Sequence, residues 1–163
     1  MANKSARDFH HRCKLAADWL RACWYQYGVD HRRCLYYNIG ETSQDVFLSK
    51  LQVGLYAPIL QEWFEIFPRK QFKIIKLEDF SQHKWHVTNG VFQFLGLTPI
   101  DEADFEPKHP NPVWIYNRNR KATRSLPMLP ETRALLQRLY TPFNVRLSKL
   151  LNDSSFLAYN PTV

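Results

Sequence analysis

Gln71-Phe72-Lys73-Ile74-Ile75-Lys76-Leu77-Glu78 is a short β-prone run set between two stretches whose apolar residues recur at helical spacing. A strand between amphipathic helices is the local pattern of a mostly parallel sheet. The run therefore predicts an α/β fold, largely helical, with one or two parallel strands. Beyond it, Glu78-Asp79-Phe80-Ser81 closes the strand, and Ser81 is placed to cap a helix from about Gln82 to Leu95. Trp85, Val91, Phe92 and Leu95 form the buried side of that helix, and Gly96 supplies its stop.

Before the run, a helix is expected from near Asp45 to Phe67, with Val46, Leu51, Leu55, Ile59, Leu60, Trp63 and Phe67 as its apolar stripe. Pro58 lies inside this pattern, where it removes a backbone donor and crowds the preceding turn. A kink or a fresh helix start is expected there, and Pro68 ends the element. Further upstream, Ser5 to about Tyr27 reads as a helix, with Ser5 as N-cap, Asp8 in the first turn and Gly28 as the stop. Phe9, Leu15, Trp19, Leu20 and Cys23 are its expected core side, and residues 29–40 show no period and read as a loop.

Downstream, Thr98 to Arg124 is the longest irregular stretch, broken by prolines at 99, 107, 110 and 112. Its second half is basic and aromatic. Arg118, Arg120, Lys121 and Arg124 follow Trp114 and Tyr116, which pairs planar multi-donor cations with rings able to stack on a base or sugar. This is the candidate anion-binding loop, against the plainer reading of a solvated basic loop. Pro130 opens a helix to Tyr140, and Thr141-Pro142 has the form of a cap and first-turn proline starting a last helix to Leu151.

A chain of 163 residues, 45% apolar and 15% aromatic, is long enough to bury a core and is not of disordered composition. Its formal charge of +7 favours anionic partners without choosing among them. No apolar run is long enough to cross a bilayer, and a polar Ala-Asn-Lys-Ser follows Met1. Cys13, Cys23 and Cys34 fit no zinc spacing. A bridge between Cys23 and Cys34, worth about 2–3 kcal/mol, and three reduced thiols both remain open. Asn3-Lys4-Ser5 and Asn152-Asp153-Ser154 match the glycosylation acceptor pattern and point weakly to an oxidising compartment.

Six histidines, at 10, 11, 31, 83, 86 and 109, offer no ligand set, although His83 and His86 share a helical face. Glu78 and Asp79 stand where ligands bind in open α/β sheets, but carboxylates there more often serve a helix N-terminus or pair with an arginine. With five glycines there is neither a Walker-type loop nor a dinucleotide turn. The residues alone name no reaction and no catalytic group.

Four blocks taken in order say more. They are Leu51-Gln52-Val53-Gly54-Leu55-Tyr56-Ala57 leading into Trp63-Phe64 and Phe67; Gln71-Phe72 through Leu77-Glu78-Asp79; Val91-Phe92-Gln93-Phe94-Leu95-Gly96-Leu97; and Pro127-Met128 through Thr132, Leu136, Tyr140, Pro142-Phe143-Asn144 and Leu147. Together they resemble the Golgi carbohydrate sulfotransferases over about residues 51–151. The resemblance is closest to the branch that 6-sulfates N-acetylgalactosamine 4-sulfate in chondroitin sulfate, with the heparan sulfate sulfotransferases as more distant relatives. Ser5-Ala6-Arg7-Asp8-Phe9-His10 and the Cys23/Cys34 pair are similar to the same branch, which implies the disulfide.

The resemblance implies a partial P-loop-like α/β fold, with residues 1–163 as the C-terminal part of a single sulfotransferase domain. The implied reaction moves sulfuryl from 3′-phosphoadenylyl sulfate to a sugar hydroxyl of a glycosaminoglycan in the Golgi lumen, with no metal. Arg118, Arg120, Lys121 and Arg124 take the position of the family loop that covers the donor nucleotide, although Thr123-Arg124-Ser125-Leu126-Pro127 departs from its Gly-Arg-Lys-Tyr-Pro-like ending. The 5′-phosphosulfate loop and the 3′-phosphate motif have no counterpart here, so the chain alone is expected to be inactive. Two further readings stay open: a non-catalytic glycan- or nucleotide-binding module, and a basic nucleic-acid-binding protein.

Overall fold

α1, Ala6–Tyr27, carries Cys13, Ala16, Ala17, Leu20 and Cys23 at helical spacing, and these five residues are its buried side. The stripe is rotated from the expected one, because Phe9 and Leu15 are exposed. Small residues on the inner side allow close approach of another helix. In this computed structural model, which describes residues 6–36, 48, 50–105 and 127–157, that helix is α7, Pro130–Leu151. Cys13, Ala16, Ala17 and Leu20 join Leu48, Leu51, Leu135 and Leu139 in one core cluster, flanked by Trp19, Trp24, Leu136 and Tyr140. Gly28 ends α1 at φ +93°, a conformation that a side chain would strain, and its N–H donates to the Trp24 carbonyl.

The chain divides into two units, one of residues 1–66 with 126–163 and the other of residues 67–125. In the first, the stretch read as a loop holds a short helix, α2 (Arg32–Tyr36). Five residues cannot hold a helix by themselves. Tertiary ties fix α2: the Cys23–Cys34 disulfide, the buried Gln52 amide donating to the Cys34 carbonyl at 2.9 Å, and Leu35 packed with Leu55 and Phe143.

Residues 50–52 are helical, the helix breaks at Val53 and Gly54, and α3 (Tyr56–Ile66) follows. Pro58 is the third residue of α3, so its missing N–H falls among first-turn donors that have no helical acceptor anyway. The expected fresh start occurs, two residues earlier than the proline. α7 corrects a second reading. It is one helix through Pro142 rather than two, with Leu135, Leu139, Phe143 and Leu147 continuing one buried stripe across the proline. That stripe offsets the roughly 3 kcal/mol that an interior proline costs. α7 ends at Asn152 in the left-handed conformation, with Asp153 N–H reaching the Ser148 carbonyl.

The second unit departs most from expectation. The predicted strand is absent: Arg69–Gln71 is a 3₁₀ turn, residues 72–76 form no ladder, and α4 spans Leu77–Gln82. Phe72 and Lys76 have extended backbone, but a strand needs a paired neighbour, and none exists among the described residues. Ser81 therefore caps nothing. It sits inside α4 and donates to the Leu77 carbonyl. His83 separates α4 from α5 (Lys84–Phe94), and Gly96 at φ +72° closes α5, with Leu97 N–H bonded to the Phe92 carbonyl. Trp85 and Asn89 then bracket Ile100 through three hydrogen bonds of 2.8–2.9 Å, ahead of α6 (Glu102–Phe105).

Candidate functional site

Arg118, Arg120, Lys121 and Arg124 lie outside the described residues, as do His109 and the Asn3 acceptor motif. In sequence, the basic stretch connects α6 of the second unit to α7 of the first. Pro130 stands in the first turn of α7, and Thr132 in the same turn shares a 2.8 Å hydrogen bond with His10 of α1.

The other sequence candidates resolve toward structural roles. Glu78 and Asp79 occupy the first turn of α4, where carboxylates complement the helix dipole, and Asp79 pairs with Lys76 at 3.4 Å. His83 is the hinge residue between α4 and α5, and His86 lies within α5. Among the described residues no group of three or more His, Cys, Asp or Glu could hold a metal. Asn152, the second acceptor asparagine, is exposed at the end of α7.

Sequence reasoning missed a basic and aromatic margin around α2. The Arg33 guanidinium lies 5.4 Å from the centre of the Tyr27 ring, and that ring stacks on His31 at 5.2 Å. Arg32 stands 5.4 Å over Tyr36, whose hydroxyl donates to Glu62 of α3 at 2.8 Å. Burial, reinforced by the bond to Glu62, raises the Tyr36 phenol above its ordinary range. Arg146 of α7 bonds both Asp30 and Gln61, tying the turn before α2 to α3 and α7. Arg32 also lies 4.0 Å from Glu62, so the margin is a set of surface arginines over rings, one of them already facing a carboxylate. No sequence pattern announced it, since nothing in spacing tells which ring a loop arginine will cover.

At the centre of the first unit, Gly54 makes room for Tyr140. A Cβ on residue 54 would stand 2.9 Å from Tyr140 Cε1, and the Tyr140 hydroxyl passes this gap to donate to the Leu51 carbonyl at 3.0 Å. The Gly54-Leu55-Tyr56 block thus has a packing reason: glycine admits the tyrosine, Leu55 fills the second core cluster, and Tyr56 starts α3. Burial, then the neighbouring Cys13 and Tyr56, raises the Tyr140 phenol. Burial also pushes the free Cys13 thiol up to about 11, so it is neutral and unreactive in the folded protein.

No family model matches the chain, and no solved structure is similar to it at a significant level. Curated relatives do match. Carbohydrate sulfotransferase 15 of Mus musculus is 38% identical over 156 residues, which is 95% of this chain and 27% of the relative. The protein of the same name from Nototodarus sloanii is 31% identical over 89% of this chain and 87% of its own length. The membrane-associated sulfotransferase kil1 of Dictyostelium discoideum is 29% identical over 71% of this chain and 22% of the relative. The chain spans about a quarter of the mouse relative. With four ordered blocks, the expected disulfide in place and these relatives in agreement, the chain belongs to the carbohydrate sulfotransferase family.

Proposed function

We propose that the chain is the C-terminal part of a single sulfotransferase domain that moves sulfuryl from 3′-phosphoadenylyl sulfate to a hydroxyl of a glycosaminoglycan such as chondroitin sulfate. The observation that carries this is the 38% identity to a named carbohydrate sulfotransferase across 95% of the chain. Arg118, Arg120, Lys121 and Arg124 cover the donor nucleotide, with guanidinium groups offering paired donors to phosphate oxygens. The phosphosulfate loop and the 3′-phosphate motif come from the part of the domain that this chain does not span, in a P-loop-like α/β fold. Phe72 and Lys76 have extended backbone, the form that pairs with a neighbouring strand in such a fold. Without that part the chain holds a nucleotide weakly and transfers nothing. The Golgi lumen fits the Cys23–Cys34 bridge, because disulfides persist in oxidising compartments.

A chimera tests this reading. The matching segment of the mouse relative is replaced by this chain, and transfer of labelled sulfate from 3′-phosphoadenylyl sulfate to chondroitin sulfate is measured. The chimera is expected to transfer sulfate, and replacing Arg118, Arg120, Lys121 and Arg124 together by alanine is expected to raise the donor KM by more than about tenfold. A monodisperse chimera with no transfer to chondroitin, dermatan or heparan sulfate contradicts the reading. The charge of +7 gives a binding module its claim, and an inactive chimera together with retention of the isolated chain on heparin would favour that module.

A further inference from the structure

α3 is apolar on the side opposite the one turned to α7. At 100° per residue, Ala57, Gln61 and Phe64 share the side turned to α7, as the Gln61 bond to Arg146 fixes. Tyr56, Ile59, Trp63 and Ile66 share the opposite side. Tyr56 is 55% exposed, Trp63 50% and Ile66 73%, and Val53 just before α3 is 63% exposed. A surface helix ordinarily has the reverse arrangement, with polar residues outward. Here the inner side carries Gln61 beside Ala57 and Phe64, and the outer side carries the large apolar residues Ile59, Trp63 and Ile66.

We infer that the outer face of α3 is a docking surface for the part of the sulfotransferase domain that this chain does not span. This rests on the family reading above and adds to it the residues through which the two parts join. Two observations select this occupant over a second copy of the chain. A helix of 11 residues is about 16 Å long, so its outer face offers only a few hundred Å², short of the roughly 800 Å² per partner of a stable dimer. A patch of that size suffices as one piece of a larger, covalently continuous interface, and the mouse relative carries most of its length outside the matched segment. Two chains of charge +7 also repel one another.

Carbene footprinting on the isolated full chain and on the chimera is the test, and it is read independently of sulfate transfer. Tyr56, Trp63 and Ile66 are expected to label in the isolated chain and to be protected severalfold in the chimera. The double substitution Val53→Glu and Ile66→Glu is expected to lower the melting temperature of the chimera by several degrees while leaving that of the isolated chain within about a degree, because both positions are exposed in the isolated chain and only the chimera buries the new charges. Equal labelling in both proteins would overturn the inference, as would equal melting shifts. Protection already present in a dimeric isolated chain would overturn it in favour of a second copy. A chimera that transfers sulfate with α3 still exposed refutes the docking surface alone, and one that protects α3 without transferring sulfate refutes the donor reading alone.

Discussion

The two units are both rich in apolar residues and use them differently. In the first, small residues of α1 and the period-four stripe of α7 close on one another, and Leu20, Leu55, Leu139 and Thr132 are fully buried or nearly so. In the second, residues 67–105 include Phe67, Phe72, Ile74, Ile75, Trp85, Phe92 and Leu97, yet none of the described residues there is buried. Its order comes from local devices: the glycine stop at Gly96, the Asn89–Ile100 bracket and an edge-on contact of Phe67 with Phe72. Apolar content alone does not make a core. A core needs a second surface at close range, which α7 gives α1.

That contrast breaks most readily at Leu20 or Leu139. Either change to alanine is expected to cost about 3 kcal/mol in urea unfolding of the chain, against less than about 0.5 kcal/mol for Ile75→Ala in the second unit. Comparable losses at Leu20 and Ile75 would erase the distinction. Replacing Cys23 and Cys34 together by serine is next, at about 2–3 kcal/mol, and is expected to release α2 while α1 and α7 stay paired, as seen by amide exchange. Gly54→Ala follows at about 1–3 kcal/mol, because its Cβ must displace the Tyr140 ring, and Tyr140→Phe at about 1 kcal/mol loses only the bond to Leu51.

Cys13 sharpens the comparison through pH. Its thiol is raised in the folded state to about 11 from an ordinary value of 9.0. Between those values the unfolded chain ionises first, so stability is full below about pH 9 and falls as pH rises toward 11. Tyr140, raised in the same direction, adds to the fall. Melting temperatures measured from pH 7 to 10.5 are expected to be level and then decline, with a shallower decline in Cys13→Ala. Identical profiles for the two proteins would show that the thiol is not coupled to the core.

Much of the first unit was legible in sequence, and physical reasons mark where legibility ended. Gly28, Gly96 and Pro130 act as the local signals said, because a helix end is decided by a few neighbouring residues. Pro142 misled for the opposite reason, since the stripe of Leu135, Leu139, Phe143 and Leu147 spans it and packing overrides the local cost. Gln71–Glu78 misled because β-propensity describes a side chain's fit to a sheet, and no ladder forms among the described residues. The disulfide followed from resemblance, as spacing left it open. Of the candidate site, the basic stretch was read from charge and ring content, whereas the Tyr27–Arg33 and Arg32–Tyr36 contacts needed the fold.

Native-state hydrogen exchange on the isolated chain tests the contrast between the units most directly. Amides of Leu20 and Leu139, in α1 and α7, are predicted to exchange only through global unfolding, with a denaturant dependence matching the full transition. Amides of Val91 and Phe92 in α5 are predicted to exchange far sooner, by local opening that denaturant barely affects. Equal protection and equal denaturant dependence in α5, α1 and α7 would contradict the account, because α5 would then open only with the global transition.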